Sequence, residues 1–151
     1  MWTATLPHAA ARCECLSLLD TVTIMDMRLE LVPLPVADVE RSKAFYVDVV
    51  GFHLDHDVQP GNGMRIVQLT PPGSACSVVV GTGMGNGPEH GTVKNLHLVV
   101  SDIGAARDEL VNRGLQITEI HDMGGVKYAY FSDPDGNSWA LQEIGRYARP
   151  A

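Results

Sequence analysis

Leu31-Val-Pro-Leu-Pro-Val-Ala-Asp38-Val39 is answered 64 positions later by Asn95-Leu-His-Leu-Val-Val-Ser-Asp102-Ile103. Each copy runs into a helical stretch that stops at a glycine followed by an apolar residue, Gly51-Phe52 and Gly114-Leu115. Each then reaches a proline-glycine turn, Thr70-Pro71-Pro72-Gly73 and Ser132-Asp133-Pro134-Asp135-Gly136, and closes with a strand-like run. Asp38 to Gly73 spans 35 positions and Asp102 to Gly136 spans 34, so the register is kept along the whole unit. The chain is therefore read as two related half-modules, and a cleft between such halves is where function is expected.

Local signals give each half the order β-α-β-β-β. Val32, Leu34 and Val36, like Leu96, Leu98 and Val100, alternate with their neighbours and supply the strand face that lies under a helix. Asp38 and Asp102 are natural N-caps, with side-chain oxygens able to take up free N–H groups of a first turn. Val39, Ser42 and Tyr46 match Ile103, Ala106 and Leu110 as a stripe that docks a helix on a sheet. Gly51 and Gly114 suit the left-handed position that ends a helix. Pro60-Gly-Asn-Gly63 has the composition of a hairpin turn. The class is α+β. Module 1 covers about residues 28–81, a linker 82–91 and module 2 about 92–145, together one domain over 27–145. Residues 1–26 form an extension outside the repeat and 146–151 a short tail. Gly81-Thr-Gly-Met-Gly-Asn-Gly-Pro-Glu-His-Gly91 has the glycines of a phosphate loop but leads into a strand at Val93. A phosphate loop must instead open a helix.

Composition narrows the partners. With 45% hydrophobic and 19% charged residues and a net charge of −7, the sequence is that of a globular protein without the basic face a nucleic acid requires. No apolar run approaches the roughly 20 residues of a membrane span. The first residues have no basic start, and Asp20 interrupts Cys15-Leu-Ser-Leu-Leu, which makes a poor signal peptide and favours the cytoplasm. Cys13, Cys15 and Cys76 do not form a disulfide framework; Cys76 reads as core and the other two as free thiols.

Val-Ala-Asp-Val-Glu-Arg-Ser-Lys-Ala-Phe-Tyr46 in the first half and Phe131-Ser-Asp-Pro-Asp-Gly-Asn137 in the second resemble the vicinal oxygen chelate superfamily. Glyoxalase I, extradiol dioxygenases, fosfomycin-resistance enzymes and bleomycin-binding resistance proteins belong to it. The resemblance extends over about residues 28–145. It implies paired modules whose strands form a curved mixed sheet around a shared cup, and it implies a homodimer, sometimes with modules exchanged. In the enzymes of that group a divalent metal is held by the first and last strands of each module. The corresponding positions here are Leu31, Ser77, Asn95 and Ala140. Two cannot ligate and two are weak neutral oxygen donors, so metal-dependent glyoxalase or dioxygenase chemistry is disfavoured and no cofactor is expected.

Strand alternation places His97 on the face of Asn95 and Gln142 on that of Ala140. Tyr128 and Tyr130 share a face, with Ile66 and Gln68 as their counterparts in module 1. The expected ligand-binding set is thus His97, Gln142, Asn95, Gln68, Tyr128, Tyr130 and Ser77. Trp139 and Leu141, of opposite parity, are expected in the core, and Glu143 in solvent. The leading function is binding of a small organic molecule in the cup. Alternatives are a lyase, isomerase or dioxygenase with a metal shifted onto His97 and Gln142, or with His97, the only catalytic candidate, as base. A further alternative is a ligand-free interaction module whose cup is filled by Leu31, Pro33 and Pro35. His53-Leu-Asp-His56-Asp57 reads as a solvated strand, because alternation sends His53 and Asp55 one way and His56 the other.

Overall fold

The computed structural model describes residues 25–145. Most of the expected N-terminal extension, with Cys13 and Cys15, and the whole C-terminal tail lie outside the described residues. The first module comprises β1 (Leu31–Pro33), α1 (Val39–Ala44, continued as a π-helical turn Phe45–Val50), β2 (His53–Gly61), β3 (Met64–Thr70) and β4 (Ser77–Thr82). After a 3-10 turn at Pro88–His90 come β5 (Leu96–Val99), α2 (Ile103–Asn112), β6 (His121–Asp122), β7 (Lys127–Ser132) and β8 (Ser138–Glu143). The strands make two four-stranded mixed sheets, β1-β4-β3-β2 and β5-β8-β7-β6, each with one parallel pair at β1/β4 or β5/β8. This is the paired-module α+β fold.

The cap and turn chemistry acts as the residues dictate. Asp38 accepts from the Arg41 N–H at 3.0 Å and Asp102 from the Ala105 N–H at 2.9 Å. Gly51 (φ 90°) and Gly114 (φ 92°) occupy the left-handed region after their helices. Asn62 and Gly63, at φ 54° and 72°, form the tight turn between β2 and β3, whose closing pair is Gly61 and Met64. The one-residue difference between the repeats sits in α1: Asp38 to Gly51 is 13 positions and Asp102 to Gly114 is 12. The extra residue is taken up by the π-helical turn, where the Gly51 N–H donates to the Tyr46 carbonyl five residues back at 2.9 Å.

Three local expectations change. β5 begins at Leu96 rather than Val93, because Asn95 stands in the left-handed region (φ 58°) and interrupts the extended backbone. His121-Asp122 is a two-residue strand paired with β7 rather than loop, and Cys76 is half-buried just before β4 rather than in the core.

One apolar core runs through both modules on the helix-bearing side of the sheets, where Leu34, Val67, Leu69, Val80, Ala129 and Leu141 are fully or almost fully buried. At its centre Tyr46 and Phe52 of the first module interleave with Trp139 and Phe131 of the second. Tyr46 stacks on Phe52 at 5.3 Å between centroids and meets Trp139 edge-on at 5.9 Å. Around this cluster the Asp133–Asn137 turn locks onto α1. The Tyr46 hydroxyl donates to Asp133 at 2.7 Å and accepts from the Trp139 indole N–H at 3.1 Å. Asn137 donates to the Pro35 carbonyl and to Asp133, and Asp135 accepts from the Ala37 N–H, Arg41 and Ser42. Burial pushes the Tyr46 phenol well above its ordinary value, and the Asp133 carboxylate adds to the rise. Within one chain the modules are therefore joined through their helix sides, and the opposite sheet faces are left open.

Candidate ligand-binding faces

On the open face of the second sheet, Ala140 has His97 beside it on β5 and Tyr130 beside it on β7, and Gln142 has Val99 and Tyr128. Ala140 is wholly buried at the floor while His97, Val99 and Tyr130 rise exposed around it. The parity follows from β7, whose Ala129 and Phe131 enter the core and force Tyr128 and Tyr130 outward. The two tyrosine rings lie nearly parallel (7°), with centroids 6.2 Å apart. The Gln142 carbonyl oxygen lies 2.9 Å from His97 Nδ1, and its amide donates to the Tyr128 hydroxyl at 3.3 Å. An amide oxygen only accepts, so Nδ1 carries the imidazole hydrogen and, in the neutral ring, Nε2 offers a lone pair outward. His97, Gln142, Tyr128 and Tyr130 thus stand together. Asn95 does not join them by strand alternation; it lies exposed just before β5, its N–H donating to the Ser138 hydroxyl at 2.9 Å.

The first sheet brings Gln68 and Ser77 together. Ser77 is buried and accepts from Gln68 Nε2 at 3.3 Å, and its hydroxyl lies 2.6 Å from that of Thr70. Sequence reasoning missed the centre of this cluster, Asp55. A β-bulge between Leu54 and His56 turns the strand, so that His56 pairs across from Gln68 rather than pointing away. The expectation that His53 and Asp55 face away from His56 fails at this bulge, for which the sequence carries no glycine or proline. Asp55 accepts from Thr70, from Gln68 and from His53 Nδ1 at 2.9 Å. The Thr70 hydrogen bond, then that of His53, holds its carboxyl below the ordinary range. Asp57, facing α1, is bound by Arg65 and Lys43, which hold it far below that range. The stretch is a largely exposed strand, as expected, and both of its aspartates are in addition ion-paired.

Glu143 departs from its expected solvated state. It accepts from the Ile103 N–H at 2.8 Å, opening α2, and from Lys127 at 2.9 Å; these bonds, the backbone one first, lower its carboxyl. Among the described residues, no side-chain hydrogen bond joins the Asp55 cluster to the His97 cluster.

The four metal-ligand positions do not fit a divalent ion. Leu31 and Ala140 have no donor atom, the Ser77 hydroxyl is committed to Thr70 and Gln68, and Asn95 lies off the strand. Among the described residues, no three His, Cys, Asp or Glu side chains gather in a ligating arrangement.

Residues 24–141 match the Glyoxalase/Bleomycin resistance protein/Dioxygenase superfamily. The chain belongs to that superfamily. Its fold is also that of solved members. TnmS3, an antibiotic binding protein from Streptomyces sp. CB03234, is 35% identical with a TM-score of 0.69, over 80% of this chain and 98% of that one. A glyoxalase/bleomycin resistance protein from the same Streptomyces is 36% identical with a TM-score of 0.63, over 76% and 98%. A superfamily member from Sphaerobacter thermophilus DSM 20745 is 29% identical with a TM-score of 0.66, over 80% and 99%. No protein of curated function matches the sequence. Among the described residues, no helix is long and apolar enough to cross a membrane.

Proposed function

We propose that this superfamily member binds a small organic molecule, without a divalent metal, against the open face built by Tyr128, Tyr130, His97 and Gln142. Asn95 stands at the rim of that face. The observation that carries the reading is the grouping of side chains around Ala140, where two parallel tyrosines and an outward imidazole surround a metal-ligand position that has no donor atom. The tyrosines suit a flat apolar or aromatic body, and Nε2 of His97 suits a hydroxyl or amide donor on it. The likeness to TnmS3, itself an antibiotic binding protein, supports a ligand of the antibiotic class. The second wall of the cup is the Gln68 and Ser77 face supplied by another copy of the chain. Support comes from the helix-side joining of the two modules, which leaves Leu31 and Val99 on the sheet edges 37% and 45% exposed.

The test uses untagged protein expressed with Zn, Ni, Mn and Fe, its metal content measured by plasma mass spectrometry. Thermal shifts are then measured against a panel of aromatic antibiotics. The reading expects no stoichiometric metal. A ligand at 100-fold its Kd should add about 2.7 kcal/mol of stability, and Tyr130→Ala should weaken it about three- to tenfold through the lost ring contact. One ion per chain, lost on His97→Ala, would replace this reading with a metal-dependent one. A panel without any shift would remove the antibiotic class.

A further inference from the structure

The two seams between the modules are related by the repeat but are filled differently. At the first, Ser42 and Tyr46 of α1 meet Asp133, Asp135, Asn137 and Trp139, and every polar group is engaged. The corresponding residues at the second are Ala106 and Leu110 of α2, with Thr70, Pro72 and Ser74 of the turn and Val78, which pairs with Val32 as Trp139 pairs with Leu96. Each exchange shortens a side chain or removes its polar end. What remains between α2, β5 and the Pro71-Pro72 turn is a cavity of about 270 Å³. An apolar cavity of about 150 Å³ is enough to hold benzene.

Its chemistry is specific. Phe52, Leu98, Val100, Leu110 and Leu141 give apolar walls, and Arg113 stands at the mouth. Arg113 Nη2 binds Glu109, whereas Nε and Nη1 have no partner among the described residues. Nη1 lies over Gly51, where a Cβ would collide with it. The left-handed glycine that ends the π-helical turn therefore also makes room for the guanidinium. Nε and Nη1 lie on different edges of the guanidinium, so an incoming carboxylate on a compact hydrophobic body would take a single charge-assisted hydrogen bond from Nη1 beside the apolar walls.

We propose that this cavity is a second ligand site, taking a small aromatic carboxylic acid whose ring enters between α2 and β5 and whose carboxylate meets Arg113. The proposal is independent of the cup and of its ligand. The experiment titrates 2-naphthoate into protein with labelled leucine and valine methyl groups, with naphthalene-2-carboxamide as the neutral comparison. The expected Kd for naphthoate is about 1 mM, given its size, with shifts at Leu98, Val100, Leu110 and Leu141. Arg113→Met should weaken naphthoate about fivefold and leave the carboxamide unchanged. Ala106→Leu, checked for folding by circular dichroism, should abolish the shifts with both compounds; if it does not fold, Arg113→Met decides. Shifts confined to Leu31, Val58 and Val79 on the open face, equal affinity for the two compounds, or no shift at about 10 mM, well above the expected Kd, would each overturn the proposal.

Discussion

Replacing Tyr46 by phenylalanine removes one oxygen atom from the first seam and leaves the ring stack in place. The hydroxyl donates to the buried Asp133 carboxylate at 2.7 Å and accepts from the Trp139 indole at 3.1 Å. A hydrogen bond to a charged group contributes about 1.5–3 kcal/mol, and the orphaned indole N–H adds about 1 kcal/mol or more. Asp133 retains the Asn137 side chain and the N–H groups of Asp135 and Asn137, which limits the damage. The expected loss is about 3 kcal/mol, or roughly 2 M in urea midpoint at an m-value of about 1.5 kcal/mol/M. Urea unfolding followed by far-ultraviolet circular dichroism measures it, with Tyr128→Phe as the control on the open face at about 0.5 kcal/mol or less. A loss below about 1 kcal/mol, or one equal to the control, would refute the view that this seam holds the modules together. The phenol's raised pKa adds a signature. Above about pH 10 the unfolded chain gives up a proton that the folded chain keeps, so stability falls as pH rises. Tyr46→Phe should flatten that alkaline slope.

Asp57 carries the opposite sign: its folded-state pKa is depressed, so its contribution is full above about pH 3.9 and fades as pH falls toward the folded value. The stability gap between wild type and Asp57→Asn should therefore close in urea titrations taken below pH 3.9, and a gap independent of pH would deny the ion pairs this role. Gly81→Ala forces a Cβ into the Arg65 carbonyl across β3 and should cost about 2 kcal/mol or more, read as a lowered melting temperature; an unchanged one would mean the sheet yields there without strain. For the cup, Tyr130→Arg and Gln68→Arg should each abolish ligand binding when refolded alone. Mixing the unfolded chains and refolding should restore about a quarter of the sites if each cup takes one wall from each copy. No recovery would place both walls in one chain.

The fold was legible because it is written twice. Matching caps at Asp38 and Asp102, matching glycine stops and matching turns fixed the βαβββ order, and the parity of Ala129 and Phe131 brought Tyr128 and Tyr130 to the face shared with His97 and Gln142. Asp55 was not legible, since a bulge depends on the pairing of β2 with β3 and leaves no mark in β2 alone. Asn95 was misplaced because alternation holds only while the backbone stays extended, and a left-handed residue ends it. Asp133, Asp135 and Asn137 read as a turn. Their abundance of polar side chains was the available sign that the turn also binds something, here the first helix. The cavity at the second seam could not be read from either half separately; it arises from the difference between them.

The wide turn in α1 bears on how such a chain tolerates length change. One residue separates the two halves, and between Asp38 and Gly73 it could have lodged in a strand, where a single slip turns every later side chain to the opposite face. Gln68 and Ser77 would then have faced the helix side and Leu69 and Val78 the opposite side. Held inside the helix, that residue turns no strand over, and Leu69 and Val78 enter the core as Phe131 and Trp139 do. A helix that can widen by one residue works as an expansion joint for an insertion or deletion.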